Sequence, residues 1–174
     1  MEPVPGISQK TYSRRCTATG MARVTENDPI RLFVTHLYAP DETYFRVFEY
    51  LESQPNFFYK NLATPDKPPR SKEKEAIRED LRRQMTDAEV VIVLSTLYLR
   101  DPTAIEYQCL YAQSCEKPLV VMEPFGTTDV VPPKLREMAD EVVPWNGREM
   151  ADAIRRQARH EDTTRWDVIE FKLD

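Results

Sequence analysis

The sequence predicts an α/β fold of the flavodoxin-like kind: a five-stranded parallel sheet, order 2-1-3-4-5, with helices on both faces as a three-layer sandwich. Three observations carry this. Short apolar runs recur along the chain, segments of helical period alternate with them, and one run, EVVIVLS at 89–95, is apolar on consecutive positions. Consecutive apolar residues fit a strand covered on both faces, as in the middle of a parallel sheet.

Each element has its own signal. IRLFVT (30–35) reads as the first buried strand. In the helix at 41–53, Tyr44, Val47, Phe48 and Leu51 fall at i, i+3, i+4 and i+7, which is one helix face. NFFYKNL (56–62) reads as the second strand, and three prolines within 63–71 mark a loop. A helix follows at 72–85 with Ile77, Leu81 and Met85 inward; its many charges read as a solvated face with i,i+4 pairs. After the strand at 89–95 comes a helix at 101–115, opened by Asp101 as N-cap and Pro102 at the first helical position, with Ile105, Cys109 and Ala112 as its buried line. PLVVME (118–123) is the fourth strand, 132–139 a short helix that starts at proline, and EVVPW (141–145) the fifth strand. Asn146 with Glu149 resembles a capping box before the last helix, 148–160.

The domain is expected over 30–160. Residues 1–29 have little apolar periodicity and read as a mobile N-terminal arm, with a partner-binding arm as the alternative. Residues 161–174 read as a C-terminal extension whose Trp166, Ile169 and Phe171 pack back on the domain or meet a partner. The chain's net charge of −5 argues against non-specific nucleic-acid binding. Its three cysteines make no disulfide framework, and with two distant histidines and no CxxC a zinc site is not expected. The N-terminus lacks an apolar signal core, and no run approaches the ~20 apolar residues of a membrane span, so a cytoplasmic protein with no membrane contact is expected.

In an open parallel sheet, ligands bind at the carboxyl ends of the strands where the strand order reverses, here between strands 1 and 3. Strand 1 ends in Thr35 and His36, strand 3 in Ser95 and Thr96, and the helix that follows carries Glu106 in its second turn. A carboxylate there can stabilise a developing positive charge or orient a sugar hydroxyl. Two readings stand side by side: these residues line a crevice, or they end strands and favour a helix dipole. Tyr38, Tyr98 and Phe125 are aromatic candidates for stacking on a base, or lids on the core. No GxGxxG, phosphate-binding P-loop or GxSxG is present, Ser95 stands where a receiver domain needs an aspartate, and Cys109 falls on a buried line where a thiol is a core residue.

Taken in order, several stretches resemble one family. LFVTH, then FYKNLATPDKPP, AIREDLRRQM, VVIVLS, PTAIEYQ, KPLVVMEPFG and ADEVVPWNGREMADAI, over about 29–158, are similar to the TIR-like, flavodoxin-fold family that includes the TIR-like proteins of Thoeris antiphage defence. The resemblance implies cleavage of the nicotinamide–ribose bond of NAD by the glutamate of the helix after strand 3, here Glu106, with no metal or other cofactor. It implies Thr35 and His36 as the counterpart of the family's Ser-His, and Ser95 as that of its serine after strand 3; Thr96 and Tyr98 are added as substrate-binding candidates. It further implies NAD or a related nucleotide as ligand, an ADP-ribose-derived messenger, self-association through TIR-like surfaces and a messenger-activated effector as partner. The alternative it leaves is a non-catalytic nucleotide-binding or interaction module. Where the family usually has a tryptophan, four residues before the glutamate, this chain has Pro102.

Overall fold

The structure, a computed structural model, describes residues 24–163. The arm expected at 1–29 lies outside the described residues up to 23, and the extension expected at 161–174 from 164 onward. The elements are β1 (Ile30–Val34), α1 (Glu42–Glu52), β2 (Tyr59–Asn61), α2 (Lys74–Met85), β3 (Val90–Leu94), α3 (Ser95–Arg100), α4 (Pro102–Ser114), β4 (Leu119–Met122), α5 (Pro133–Met138), β5 (Glu141–Val143) and α6 (Gly147–Arg159).

All five strands are parallel, in the order β2-β1-β3-β4-β5. The sheet is the one read from the sequence. β3 is buried at every position, and β4 likewise, which is why both appear as unbroken apolar runs. Right-handed crossovers then assign the layers: α1 leaves toward β2 on one face, while α2, α4 and α5 cross in the other direction on the opposite face. The packing agrees, α1 lying against α6 and α2 against α4.

Local chemistry sets the ends of the elements. Asp41 caps α1 by accepting from Tyr44 N–H at 3.0 Å, Asp101 caps α4 through Ala104 N–H at 3.1 Å, and Asn146 caps α6 through Glu149 N–H at 3.1 Å. β2 is shorter than the aromatic run suggested because Asn56 takes a left-handed conformation (φ 57°) and turns the chain just before it. β5 stops before Pro144, which has no N–H for the ladder. The strand expected to end at Ser95 ends at Leu94, and Ser95 opens the short helix α3, with Leu97 and Tyr98 turned into the core.

α1 and α6 approach closely at Gly147. A Cβ there would stand 2.7 Å from the carbonyl oxygen of Tyr50 and 2.5 Å from Gln54 Nε2. The glutamine can move; the helix backbone cannot. Gly147→Ala is therefore expected to destabilise, because overpacking costs about 1–3 kcal/mol and exceeds the roughly 1 kcal/mol that alanine gains in a helix. The thermal midpoint should fall by a few degrees, at roughly 2–4 °C per kcal/mol for a chain of this size. A midpoint that rises would show that the two helices do not meet there.

Candidate functional site

The six residues expected at the carboxyl edge fall into two groups. Thr35, His36 and Ser95 are buried within the end of the sheet. Thr35 extends the β1–β3 ladder: its N–H donates to Ile92 O at 2.9 Å, and its hydroxyl accepts from Leu94 N–H at 3.1 Å. The Ser95 hydroxyl donates to Met122 O at 2.5 Å and so ties β3 to β4 as β3 turns into α3. The His36 peptide is held by α4: Gln108 Oε1 accepts from its N–H at 3.2 Å, and Gln108 Nε2 donates to its C=O at 2.9 Å.

In the second group, Glu106, Thr96 and Tyr98, only Glu106 faces outward. Glu106 is two residues before Gln108, hence about 200° around α4 at 100° per residue. While Gln108 turns inward, Glu106 keeps 26% of its side chain exposed and accepts from Lys134 Nζ of α5 at 2.6 Å. The Glu106 carboxylate raises the Lys134 ammonium above the usual lysine range, and the nearby Tyr98 adds to this. Tyr98 itself is buried to 9% exposure. Thr96, half-buried, begins the same short helix; its Oγ1 is one of two buried side-chain polar atoms without a partner among the described residues, the other being Arg46 Nε. The structure thus joins Thr35, His36 and Ser95 through the sheet, and Glu106 with Tyr98 through Lys134. Of the other aromatic candidates, Phe125 lies beneath the Arg46 guanidinium, 4.3 Å from its ring centre, and against Trp145.

Around His36 stands a cluster of polar groups that the sequence reading took for a solvated helix face. Asp80 and Gln84 lie one turn apart on α2, and Asp80 is buried. Tyr38, in a left-handed conformation (φ 53°), turns its hydroxyl to Asp80 Oδ2 at 2.5 Å. Burial works to raise the Asp80 carboxyl, but hydrogen bonds from Tyr38 and Gln84 together with Arg83 hold it below the ordinary range. His36 is 2% exposed, and burial pushes its imidazole below the ordinary 6.5, against the opposing pull of Gln84, Asp80 and Asp66. The only sequence signal for this cluster is the i,i+4 spacing of Asp80 and Gln84, which many exposed helices share.

The lowered His36 pKa makes folding acid-labile. Below pH 6.5 the unfolded chain binds a proton that the folded chain does not, so stability falls as pH drops from about 6.5 toward the folded pKa. The depressed carboxylates Asp80, Glu89 and Glu141 also lose stability on acidification, but in a lower window, beginning near their ordinary values of 3.8 to 4.5. The urea midpoint is therefore expected to decline already between pH 7 and 5, and to do so equally in His160→Asn. A flat midpoint across that range would contradict a neutral, buried His36.

A concavity lies at the opposite edge of the sheet. About 980 Å³ opens among Arg31, Glu89, Lys117, Asp140 and Arg159, at the amino ends of the strands. Its charged groups are already partnered: Lys117 Nζ donates to the carbonyls of Thr86 (3.0 Å) and Ala88 (2.8 Å), and Arg159 to Glu89 (2.6 Å) and Asp28 (2.9 Å). This concavity and the residues read as the site thus lie at different edges. The carboxyl edge remains the candidate site, because it holds the partly exposed carboxylate and the strand-order reversal. The two cysteines among the described residues add nothing there: burial pushes the Cys109 thiol up to about 12, which leaves it unreactive, and Cys115 is exposed at the amino edge. Among the described residues no group of three His, Cys, Asp or Glu could hold a metal ion, and no helix is long and apolar enough to cross a membrane.

A family profile described as "Thoeris protein ThsB, TIR-like domain" matches residues 33–129, over half of the chain, from the end of β1 through the segment after β4. No curated protein matches the chain.

Proposed function

The chain belongs to the Thoeris ThsB TIR-like domain family, and from that premise we propose that it is an antiphage-defence signalling enzyme that cleaves the nicotinamide–ribose bond of NAD. The observation that carries this reading is Glu106: a carboxylate about a quarter exposed, on α4 of the β3–β4 crossover, at the carboxyl edge of a sheet of order 2-1-3-4-5. In NAD the nicotinamide ring nitrogen is already positive. When its bond to the ribose carbon breaks, the electron pair stays on that nitrogen, nicotinamide leaves neutral, and the ribose carbon becomes oxocarbenium-like. Glu106 stabilises that charge or holds the ribose hydroxyls. Water, or a nucleophile within the same ADP-ribose, then attacks the carbon; the second route yields a cyclic messenger. Positioning and one carboxylate supply the chemistry.

On this reading Thr96 and Tyr98, at the start of α3, contact the substrate, while Thr35, His36 and Ser95 shape the floor beneath it. The product acts on a separate effector protein in the cytoplasm, and copies of the chain associate through TIR-like surfaces. The experiment is to incubate the purified protein with NAD, with and without lysate of phage-infected cells, and to follow nicotinamide and ADP-ribose products in the wild type and Glu106→Gln.

A second reading has two observations in its favour. Glu106 is already ion-paired with Lys134, and Pro102 stands at the position of the family's tryptophan. A carboxylate used this way serves a non-catalytic module that binds a nucleotide or a protein. A silent wild type under all conditions, together with self-association, selects that reading.

A further inference from the structure

We propose that Gln84 is a positioning residue of the candidate site, holding His36 as the neutral Nε2–H tautomer and fastening the loop after β1 to α2; this deepens the reading given above and rests on it. The orientation of the Gln84 amide is fixed twice over. Its Oε1 lies 2.9 Å from the backbone N–H of Thr64, which can only donate, and its Nε2 lies 2.8 Å from Asp80 Oδ2, a carboxylate that can only accept. The oxygen therefore faces His36 Nε2 at 3.0 Å, so that ring nitrogen carries a proton. The other nitrogen, Nδ1, accepts from Tyr38 N–H at 3.2 Å, so it has none. Both nitrogens are engaged, and the ring is neutral. The same amide reaches the Tyr38 hydroxyl at 3.0 Å, which itself donates to Asp80.

One side chain thus joins three segments: the loop after β1, the loop after β2 at Thr64, and the last turn of α2. The first of these loops runs on to Asp41, which caps α1 and is ion-paired with Arg100 at the end of α3, 3.2 Å away. α3 carries Thr96 and Tyr98. Gln84 acts on the site along this route, through His36 and the loop, without touching the substrate. A proton arriving at His36 Nδ1 would face the Tyr38 N–H and break the first link. The groups around the ring that bear on its titration are Asp80 and Arg83 of α2, Asp66 of the loop after β2, Tyr38 of the ring's own loop and Tyr44 of α1; Gln108 of α4 is neutral.

The test is nitrogen NMR of the imidazoles, simplified because the chain has only two histidines and His160→Asn removes the other. The otherwise unaltered chain should show His36 with one protonated and one unprotonated ring nitrogen, a slowly exchanging Nε2–H, and a protected Thr64 amide. Gln84→Met should lose protection at both. Gln84→Glu, which keeps the shape but puts a negative charge beside the ring, should raise the proton affinity of His36 by about tenfold or more. A His36 that has the other tautomer, or one whose signals are the same in all three proteins, overturns the inference. The same samples are assayed with NAD. If the parent protein turns NAD over, kcat should fall in Gln84→Met, and equal turnover despite a changed His36 signature overturns the positioning role. A silent parent protein whose His36 responds as stated removes the NAD reading and leaves the tautomer assignment standing.

Discussion

Glu106→Gln is expected to lower nicotinamide release from NAD by about 100-fold or more, with the fold unchanged. The size follows from what is removed. Loss of one preorganised charge-stabilising group in a water-poor site typically costs about 10²–10³ in rate, and glutamine keeps the shape of the side chain while removing its charge. The fold should tolerate the change because Glu106 holds nothing in the core. Its carboxylate meets a Lys134 that is itself 56% exposed, and the buried line of α4 runs instead through Ile105, Gln108, Cys109 and Ala112. Exposed ion pairs contribute little to stability, so the thermal midpoint should stay within about 2 °C. Nicotinamide release and calorimetry on the same preparations check both halves. Turnover equal to wild type would leave Glu106 as no more than the partner of Lys134. Lost turnover with a collapsed midpoint would make it a structural residue.

The sheet could be read from the sequence because a parallel strand buried on both faces leaves an unbroken apolar run, and both EVVIVLS and PLVVME do so. The parallel sheet followed from alternation, and the strand order from the arrangement that five such strands most often take, neither of which needs side-chain detail. α3 was not legible: six residues long, it follows β3 without a break, and Leu97 and Tyr98 look like more of the same apolar stretch. Glu106 was reached by its place in the helix after β3, but its partner Lys134 lies 28 residues on, on another helix, and nothing local announces it. Asp80 and Gln84 were hidden for a different reason. Within a run as charged as KEKEAIREDLRRQM, a buried carboxylate looks like an exposed one until Tyr38 is folded onto it from a strand end 42 residues earlier. Thr35 and Ser95 show the converse. They sit where a crevice reading places them, yet their hydroxyls bind the backbones of β3 and β4, which is the bland alternative for residues that end strands.

Phe33→Ala is expected to be the most costly core substitution near the site, removing about 3–5 kcal/mol from a total that for such domains is about 5–15 kcal/mol. Phe33 is fully buried near the carboxyl end of β1, in register with Val91 of β3, and its ring centre lies 5.6 Å from that of His36. Truncation would leave a hole on the face of β1 that bears Phe33, against the helix layer that covers it, where close packing limits collapse. Phe45, twelve residues along and 55% exposed on α1, provides the contrast: the same change there should stay within about 0.5 kcal/mol. Urea unfolding of both variants, with the slope unchanged, decides the matter. If Phe33→Ala cost no more than Phe45→Ala, β1 would not be an interior strand, and the end of the sheet on which Thr35 and His36 are placed would have no rigid support. If the loss is as large as expected while a partly folded variant retains its protected His36 N–H, the polar network on α2 holds the loop independently of the core beneath it; if both are lost together, the loop takes its position from β1.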